Sequence, residues 1–303
     1  MSVFILGSYA KALVMTTDRI PLAGETLIGY DFRQTWGGKG SDMAVQAVRL
    51  GAEVAYAGVV GDDTFGHEFV GLMQEEGVNI DALTISGELP TGAGLIVKDK
   101  EARNVIVVDM GANKLFTPAL VDSALSQLKQ SNVVLTQLEI PLETARYGLQ
   151  RAKEFGKITI LNPAPARDLR GLDLSAIDYL TPNETEARVA LGLPPDDPRS
   201  NREIANLLLE TGCQYVVMTL GESGSAVFGR NDTQEIPPAS LMSSTVTVQV
   251  TALTRHWPSR WMKGCRLAKL CCLLTPRRRC AVWIGKRFRP IATAKMSMLL
   301  CDL

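Results

Sequence analysis

From residue 117 to residue 220 the chain repeats one unit: a short apolar run, then an amphipathic run that closes at or near glycine. Residues 119–129 have helical spacing, 133–138 are apolar, 142–155 are helical up to Gly156, and 158–161 are apolar. Residues 177–180, 184–191 with Gly192, 201–211 and 215–220 carry the series on. Strand-length apolar runs alternating with helices predict an α/β fold: a three-layer, doubly wound, mainly parallel sheet whose ligands lie beyond the carboxyl ends of its strands.

Upstream, residues 3–6 and 54–60 read as further strands. Residues 41–50 put Met43, Ala44, Ala47 and Val48 on one helical face before Gly51, and 65–76 form a helix ended by Gly77. Two β-rich segments break the rhythm. Residues 25–32 alternate with period two, while 91–97 and 104–108 flank the turn Asp99-Lys100-Glu101. They are expected to pair as a small accessory sheet, with strands at about 25–36 and 91–109, that covers a site as a lid.

A chain of 303 residues with 46% hydrophobic side chains buries a large core, and no apolar run approaches the roughly 20 residues of a membrane span. The N-terminus has no basic segment before its first apolar run and reads as that of a cytoplasmic protein. The net charge of zero hides an asymmetry. Residues 1–244 hold 20 basic and 31 acidic side chains, a balance of −11; residues 245–303 hold 12 and one, a balance of +11. The chain therefore divides into a body with its lid, 1–244, and an aberrant basic tail, 245–303, that holds five of the six cysteines and three of the four tryptophans.

Three loops at strand ends carry candidate chemistry. Trp36-Gly37-Gly38-Lys39-Gly40-Ser41-Asp42 lets backbone approach a ligand and presents the free N–H groups of a helix start. Its spacing is neither the P-loop nor the dinucleotide fingerprint, so alone it is a glycine-rich turn. The second loop, Leu161-Asn162-Pro163-Ala164-Pro165-Ala166, goes with Leu180-Thr181-Pro182-Asn183-Glu184-Thr185-Glu186. Asn183 suits a helix cap, and Glu184 and Glu186 suit either the helix dipole or a hydrated Mg²⁺ held through water. The third, Thr219-Leu220-Gly221-Glu222-Ser223-Gly224, is on its own a tight strand-end turn.

In this order the loops are joined by Pro21-Leu22-Ala23-Gly24-Glu25-Thr26, Arg49-Leu50-Gly51-Ala52, Val60-Gly61-Asp62-Asp63-Thr64-Phe65-Gly66, Gly111-Ala112-Asn113 and Gln137-Leu138-Glu139. Together they resemble the ribokinase-like family of carbohydrate and nucleoside kinases over about the first 240 residues. The resemblance implies phosphoryl transfer from ATP, with Mg²⁺, to a hydroxyl of a small-molecule sugar. It implies a sugar site at Gly38, Lys39, Gly40, Ser41, Asp42 and Glu139. Nucleotide contacts are implied at Asn183, Thr219, Gly221, Glu222, Ser223 and Gly224, with Glu186 near Mg²⁺ through water. It further implies a homodimer through the lid, as in many members, leaves a monovalent cation such as K⁺ open, and involves no membrane.

Two departures bear on the substrate. The family's Gly-Ser-x-Asn-x-Asp is here Gly7-Ser8-Tyr9-Ala10-Lys11-Ala12, and Asp42 stands where ribokinases usually have Asn. Losing a hydroxyl-binding carboxylate loses discrimination for that hydroxyl. Another pentose, a deoxy or modified sugar, or a nucleoside fits as well as ribose.

A larger departure follows Glu235-Ile236-Pro237-Pro238. The family's Gly-Ala-Gly-Asp segment, which supplies an anion hole and the catalytic base, is absent, and no Asp or Glu occurs between Glu235 and Asp302. No catalytic base is in frame. The codons allowed for residues 244–257, started at each third base, are compatible with Asp-Ser-Asn-Gly-Ala-Gly-Asp-Ser-Phe-Asn-Ala-Ala-Leu. Further on, the single codons of Trp261 and Met262 and the two of Lys263 force Asp-Glu in that frame. A frameshift near Ser243 or Ser244 accounts for both. The competing expectation is a non-catalytic sugar- or nucleotide-binding protein whose Arg- and Trp-rich tail binds nucleic acid. Out-of-frame translation of a GC-rich gene yields the same residues, so nucleic acid is not the expected partner. The tail cysteines lack paired zinc-ligand spacing.

Overall fold

In a computed structural model, which describes residues 1–237 apart from Ala102 and Asn231, the first apolar run becomes strand β1 (Ser2–Leu6) inside a nine-stranded sheet. The chain continues through β2 (Ala10–Thr16), β3 (Tyr30–Gly37), α1 (Lys39–Arg49), β4 (Glu53–Gly61), α2 (Thr64–Glu75) and β5 (Asn79–Ser86). Next come β6 (Gly92–Lys98), β7 (Asn104–Asp109), a 3₁₀ turn (Gly111–Leu115), α3 (Pro118–Ser123), α4 (Leu125–Gln130), β8 (Val133–Gln137) and α5 (Leu142–Glu154). β9 (Ile158–Asn162), β10 (Tyr179–Leu180), α6 (Glu184–Ala190), α7 (Asn201–Glu210) and β11 (Tyr215–Thr219) follow. A second 3₁₀ turn (Gly221–Ser223), β12 (Ser225–Gly229) and β13 (Thr233–Ile236) complete the described chain.

The large sheet runs β13-β12-β11-β10-β9-β8-β1-β4-β5. It is parallel from β11 to β5, and β12 and β13 add an antiparallel edge. Alternate residues of β1 enter opposite layers. Phe4 and Leu6 pack with Leu138, Ala145 and Leu149 on the α5 side, while Val3 and Ile5 pack with Met43, Ala47, Phe69 and Met73 of α1 and α2. Burial on both faces explains why these strands are continuous apolar runs. The expected three-layer architecture is present.

The second sheet, β3-β2-β6-β7, is the expected accessory sheet with different bounds. Its predicted strand from residue 25 starts only at Tyr30. Residues 22–25 turn instead: the Glu25 N–H donates to the Leu22 carbonyl (3.1 Å), while its carboxylate accepts from the Leu22 N–H (2.8 Å) and pairs with Arg19 (2.6 Å). The central strand β2 was not expected. It follows β1 after only Gly7-Ser8-Tyr9, so one nearly continuous apolar stretch crosses from one sheet to the other. The helix expected over 119–129 breaks at Ala124 into α3 and α4, and the strand expected over 177–180 shrinks to Tyr179–Leu180. Among the described residues no helix is long and apolar enough to cross a membrane. The tail from 245, the position of the missing catalytic segment and the inferred frameshift point lie outside the described residues.

Candidate functional site

The carboxyl ends of β1 and β8 meet at one carboxylate. Glu139, just past β8, accepts through Oε2 from the Ser8 hydroxyl (2.6 Å) and from the Lys39 backbone N–H (2.7 Å). Its own N–H donates to Gln137 Oε1 (2.8 Å), which fixes the turn that carries it. Three segments about 30 and 100 residues apart thus converge on one charged acceptor, the stronger kind of hydrogen bond.

The glycine-rich loop sits against the end of β1 because two of its residues have no side chain. Gly38, the N-cap of α1, has φ +94°, and a Cβ there would lie 2.7 Å from the Tyr9 Cα. A Cβ on Gly40 would lie 2.3 Å from the Ser8 nitrogen and 2.5 Å from the Gly7 Cα. This closeness lets the Gly40 N–H reach Ser8 Oγ (3.2 Å) and the Ser41 N–H reach the Ser8 carbonyl (3.0 Å). Ser41 itself turns inward, its hydroxyl donating to the Gly37 (2.7 Å) and Gly38 (2.9 Å) carbonyls.

Asp42 lies in the first turn of α1 with its side chain open to solvent. Desolvation first, and the Glu139 charge second, push its carboxyl up to about 7, against the pull of the Lys39 ammonium. Among the described residues its carboxylate takes no hydrogen bond.

The nucleotide candidates gather at the ends of β10 and β11. Asn183 caps α6: its Oδ1 accepts from the Glu186 N–H (2.7 Å), and Glu186 Oε2 accepts from the Asn183 N–H (2.8 Å). Asn183 also bridges to Thr219, whose N–H donates to the Pro182 carbonyl (3.0 Å). Beyond Thr219 the chain makes its 3₁₀ turn, closed by the Leu220 N–H on the Gly224 carbonyl (2.9 Å). Gly221, Glu222 and Ser223 are exposed there, and Gly224 is buried. Between the two clusters stands β9, where the Asn162 amide donates to the Thr181 carbonyl (2.9 Å) and ties the loop ends together.

A bare divalent ion does not fit these side chains: among the described residues no group of three metal-ligating side chains occurs. Glu186 spends one oxygen on its helix cap, and Glu184 accepts instead from Asn201 (2.7 Å). A Mg²⁺ here would therefore have to be held mainly by water and by a bound nucleotide, with Glu186 as the side chain that would reach its hydration shell.

Sequence reasoning did not single out Ser8 or Asn113 as site-building residues. Both stand in segments that carry the family resemblance, Ser8 in Gly7-Ser8-Tyr9 and Asn113 in Gly111-Ala112-Asn113, but without a role; Asn113 clamps Tyr9 through its Oδ1 on the Tyr9 N–H (2.9 Å) and its amide on the Tyr9 carbonyl (2.7 Å).

Comparison with known proteins gives a consistent picture. The model of the pfkB family carbohydrate kinases matches residues 2–249. Mouse ribokinase is 35% identical over 230 residues, 76% of this chain and 71% of the mouse protein. The deoxyribokinase of Salmonella typhimurium is 32% identical over 240 residues, 78% of each chain. Among solved structures, that of Giardia lamblia ribokinase superposes with a TM-score of 0.75 at 25% identity, covering 89% of this chain and 81% of the other.

Proposed function

Because the chain belongs to the pfkB family of carbohydrate kinases, we propose that its body binds a sugar and ATP for phosphoryl transfer to a sugar hydroxyl, and that this chain lacks the groups that complete the transfer. The observation that carries the first half is the carboxylate of Glu139. It organises Ser8 and the Gly38–Asp42 loop at the strand ends, while among the described residues its second oxygen and both oxygens of Asp42 take no hydrogen bond and are left for hydroxyl donors. Gly38, Lys39, Gly40, Ser41, Asp42 and Glu139 form the sugar side. Asn183, Thr219, Gly221, Glu222, Ser223 and Gly224 form the nucleotide side, with exposed backbone at the glycine turn for phosphate oxygens. Glu186 orients the hydration shell of the Mg²⁺ that neutralises phosphate charge when ATP is bound.

Ala10 and Ala12 share one face of β2, paired with Gly92 and Gly94 on β6, so these two positions offer methyl groups where the family has an amide and a carboxylate. A sugar without a hydroxyl on that edge fits better than ribose, in keeping with a deoxyribokinase among the relatives. The exposed β7 residues Val105, Ile106, Val107 and Val108 support a homodimer through the lid.

The second half rests on the residues after 237: the Gly-Ala-Gly-Asp segment is missing in frame and recoverable in another. Correcting one base near codon 243 is expected to raise phosphorylation at least about 10²-fold, the usual contribution of a general base. A thermal-shift panel with D-ribose, 2-deoxy-D-ribose and nucleosides, with and without ATP·Mg²⁺, identifies the sugar. Ordinary kinase rates from the chain as written would overturn the loss of base. A salt-dependent nucleic-acid affinity lost on deleting residues 245–303 would favour the tail as a binding arm instead.

A further inference from the structure

Lys11 occupies the unspecified position between the two alanines of β2, and it is almost fully buried, 4% exposed. A lysine so placed needs a partner and a wall. Its ammonium is ion-paired with Glu68 of α2, seated 4.5 Å from the ring centroid of Trp36 on β3 and 5.6 Å from that of Phe65, again on α2. Lys11 and Trp36 are cross-strand partners in the lid, whereas Glu68 and Phe65 belong to the body. Two residues earlier in the chain, Tyr9 stacks on Phe69 of the same helix, ring centroids 4.1 Å apart.

What this cluster holds is the sugar loop. Trp36 immediately precedes Gly37-Gly38-Lys39, and Ser8, three residues before Lys11, supplies the oxygens that accept from Gly40 and Ser41. A lid strand swinging away from α2 would carry both ends of that network with it. We propose that Lys11 is a positioning residue: held by Glu68 and seated on Trp36, it latches lid strands β2 and β3 to helix α2 and so sets the placement of the Gly38–Asp42 loop. The latch is internal to the apo fold, while its consequence for sugar binding rests on the sugar-site reading above.

The test is amide hydrogen exchange on the full chain with Lys11→Met, Glu68→Gln and Lys11→Arg. Lys11→Met keeps the apolar stem and removes the charge; Glu68→Gln, at the more exposed end of the pair, guards against a variant that fails to fold. The reporters are the amides of Lys39, Gly40, Ser41 and Asp42, each hydrogen-bonded to Glu139, Ser8 or Gly38. In Lys11→Met and Glu68→Gln these amides and those of β3 are expected to exchange about tenfold faster or more, with β8 and β9 unchanged and Lys11→Arg close to the parent. Whichever of D-ribose and 2-deoxy-D-ribose binds is then expected to lose about tenfold in affinity, because the competent lid posture is populated less, while ATP·Mg²⁺ affinity stays the same. Unchanged exchange at 39–42, or equal acceleration in β8 and β9, overturns the latch. Faster exchange with unchanged sugar affinity overturns its positioning role. If neither sugar binds, it is the sugar reading that fails, and exchange alone still decides the latch.

Discussion

Replacing Glu139 by Gln tests the centre of the site without relying on turnover. The carboxylate accepts two hydrogen bonds on one oxygen, from Ser8 at 2.6 Å and from the Lys39 N–H at 2.7 Å. Bonds to a charged group contribute about 1.5–3 kcal/mol and neutral ones about 0.5–1.5, so the isosteric amide loses about 1 kcal/mol at each, or about 2 in all. For a body of this size that corresponds to a melting temperature lower by about 4–8 °C. A second readout is specific to the charge. Glu139 is the second cause of the raised Asp42 pKa, so in Glu139→Gln the Asp42 carboxyl titrates below its present value of about 7, yet stays above the ordinary range because desolvation remains. Calorimetry gives the first quantity and carboxyl-carbon NMR the second. A melting temperature within a degree of the parent together with an unmoved Asp42 titration would refute the picture of one charged acceptor organising the loop.

Asp42→Asn probes the raised carboxyl by pH. A carboxyl raised from 3.8 to about 7 binds a proton in the native state that it has lost in the unfolded one, so the parent loses stability as pH rises between those values and levels off above. The Asn variant lacks this fall, and urea unfolding at pH 5 and pH 8 should show the parent declining more than the variant; equal declines would exclude it. Gly40→Ala puts a Cβ against backbone at 2.3 Å and 2.5 Å, where no side chain can rotate away, and is expected to destabilise by about 3 kcal/mol. Gly51→Ala, with φ +81° but nothing within 4 Å, is the control that should cost about 1 kcal/mol. Equal melting temperatures for the two would deny the close approach of α1 to β1.

The main sheet was legible because both its faces are covered, which writes each strand as an unbroken apolar run and each helix as a stripe. Glycine ends were legible for the same local reason, as at Gly77 and Gly156, whose φ values are +77° and +66°. The accessory sheet was legible only in part. A strand exposed on one or both faces has no required pattern, and β7 is exposed along its whole length, so its period-two signal is weak. β2 was hidden by its neighbour, since Val3 to Thr16 reads as one apolar stretch unless the turn at Gly7-Ser8-Tyr9 is recognised. Lys11 was the warning in that stretch: a cation amid apolar residues signals a partner elsewhere, but that the partner is Glu68, 57 residues on, is a tertiary fact. Likewise Asp42 and Glu139 could be placed in one site by resemblance, while their mutual repulsion needed the fold.

Binding and turnover separate along this chain in a way that follows from where each group sits. On the proposed reading, the sugar side uses residues up to Glu139 and the nucleotide side reaches Gly224. Ground-state binding uses hydrogen bonds that exist before reaction, such as those open at Glu139 and Asp42. An anion hole acts instead on charge that develops only in the transition state, and a base acts on a proton that leaves only then. Removing the segment that supplies both should therefore leave sugar affinity nearly intact and abolish rate. The two losses do not add, because base and anion hole act on one event. A restored frame that improved sugar affinity as much as rate would mean that the missing segment builds the sugar site itself.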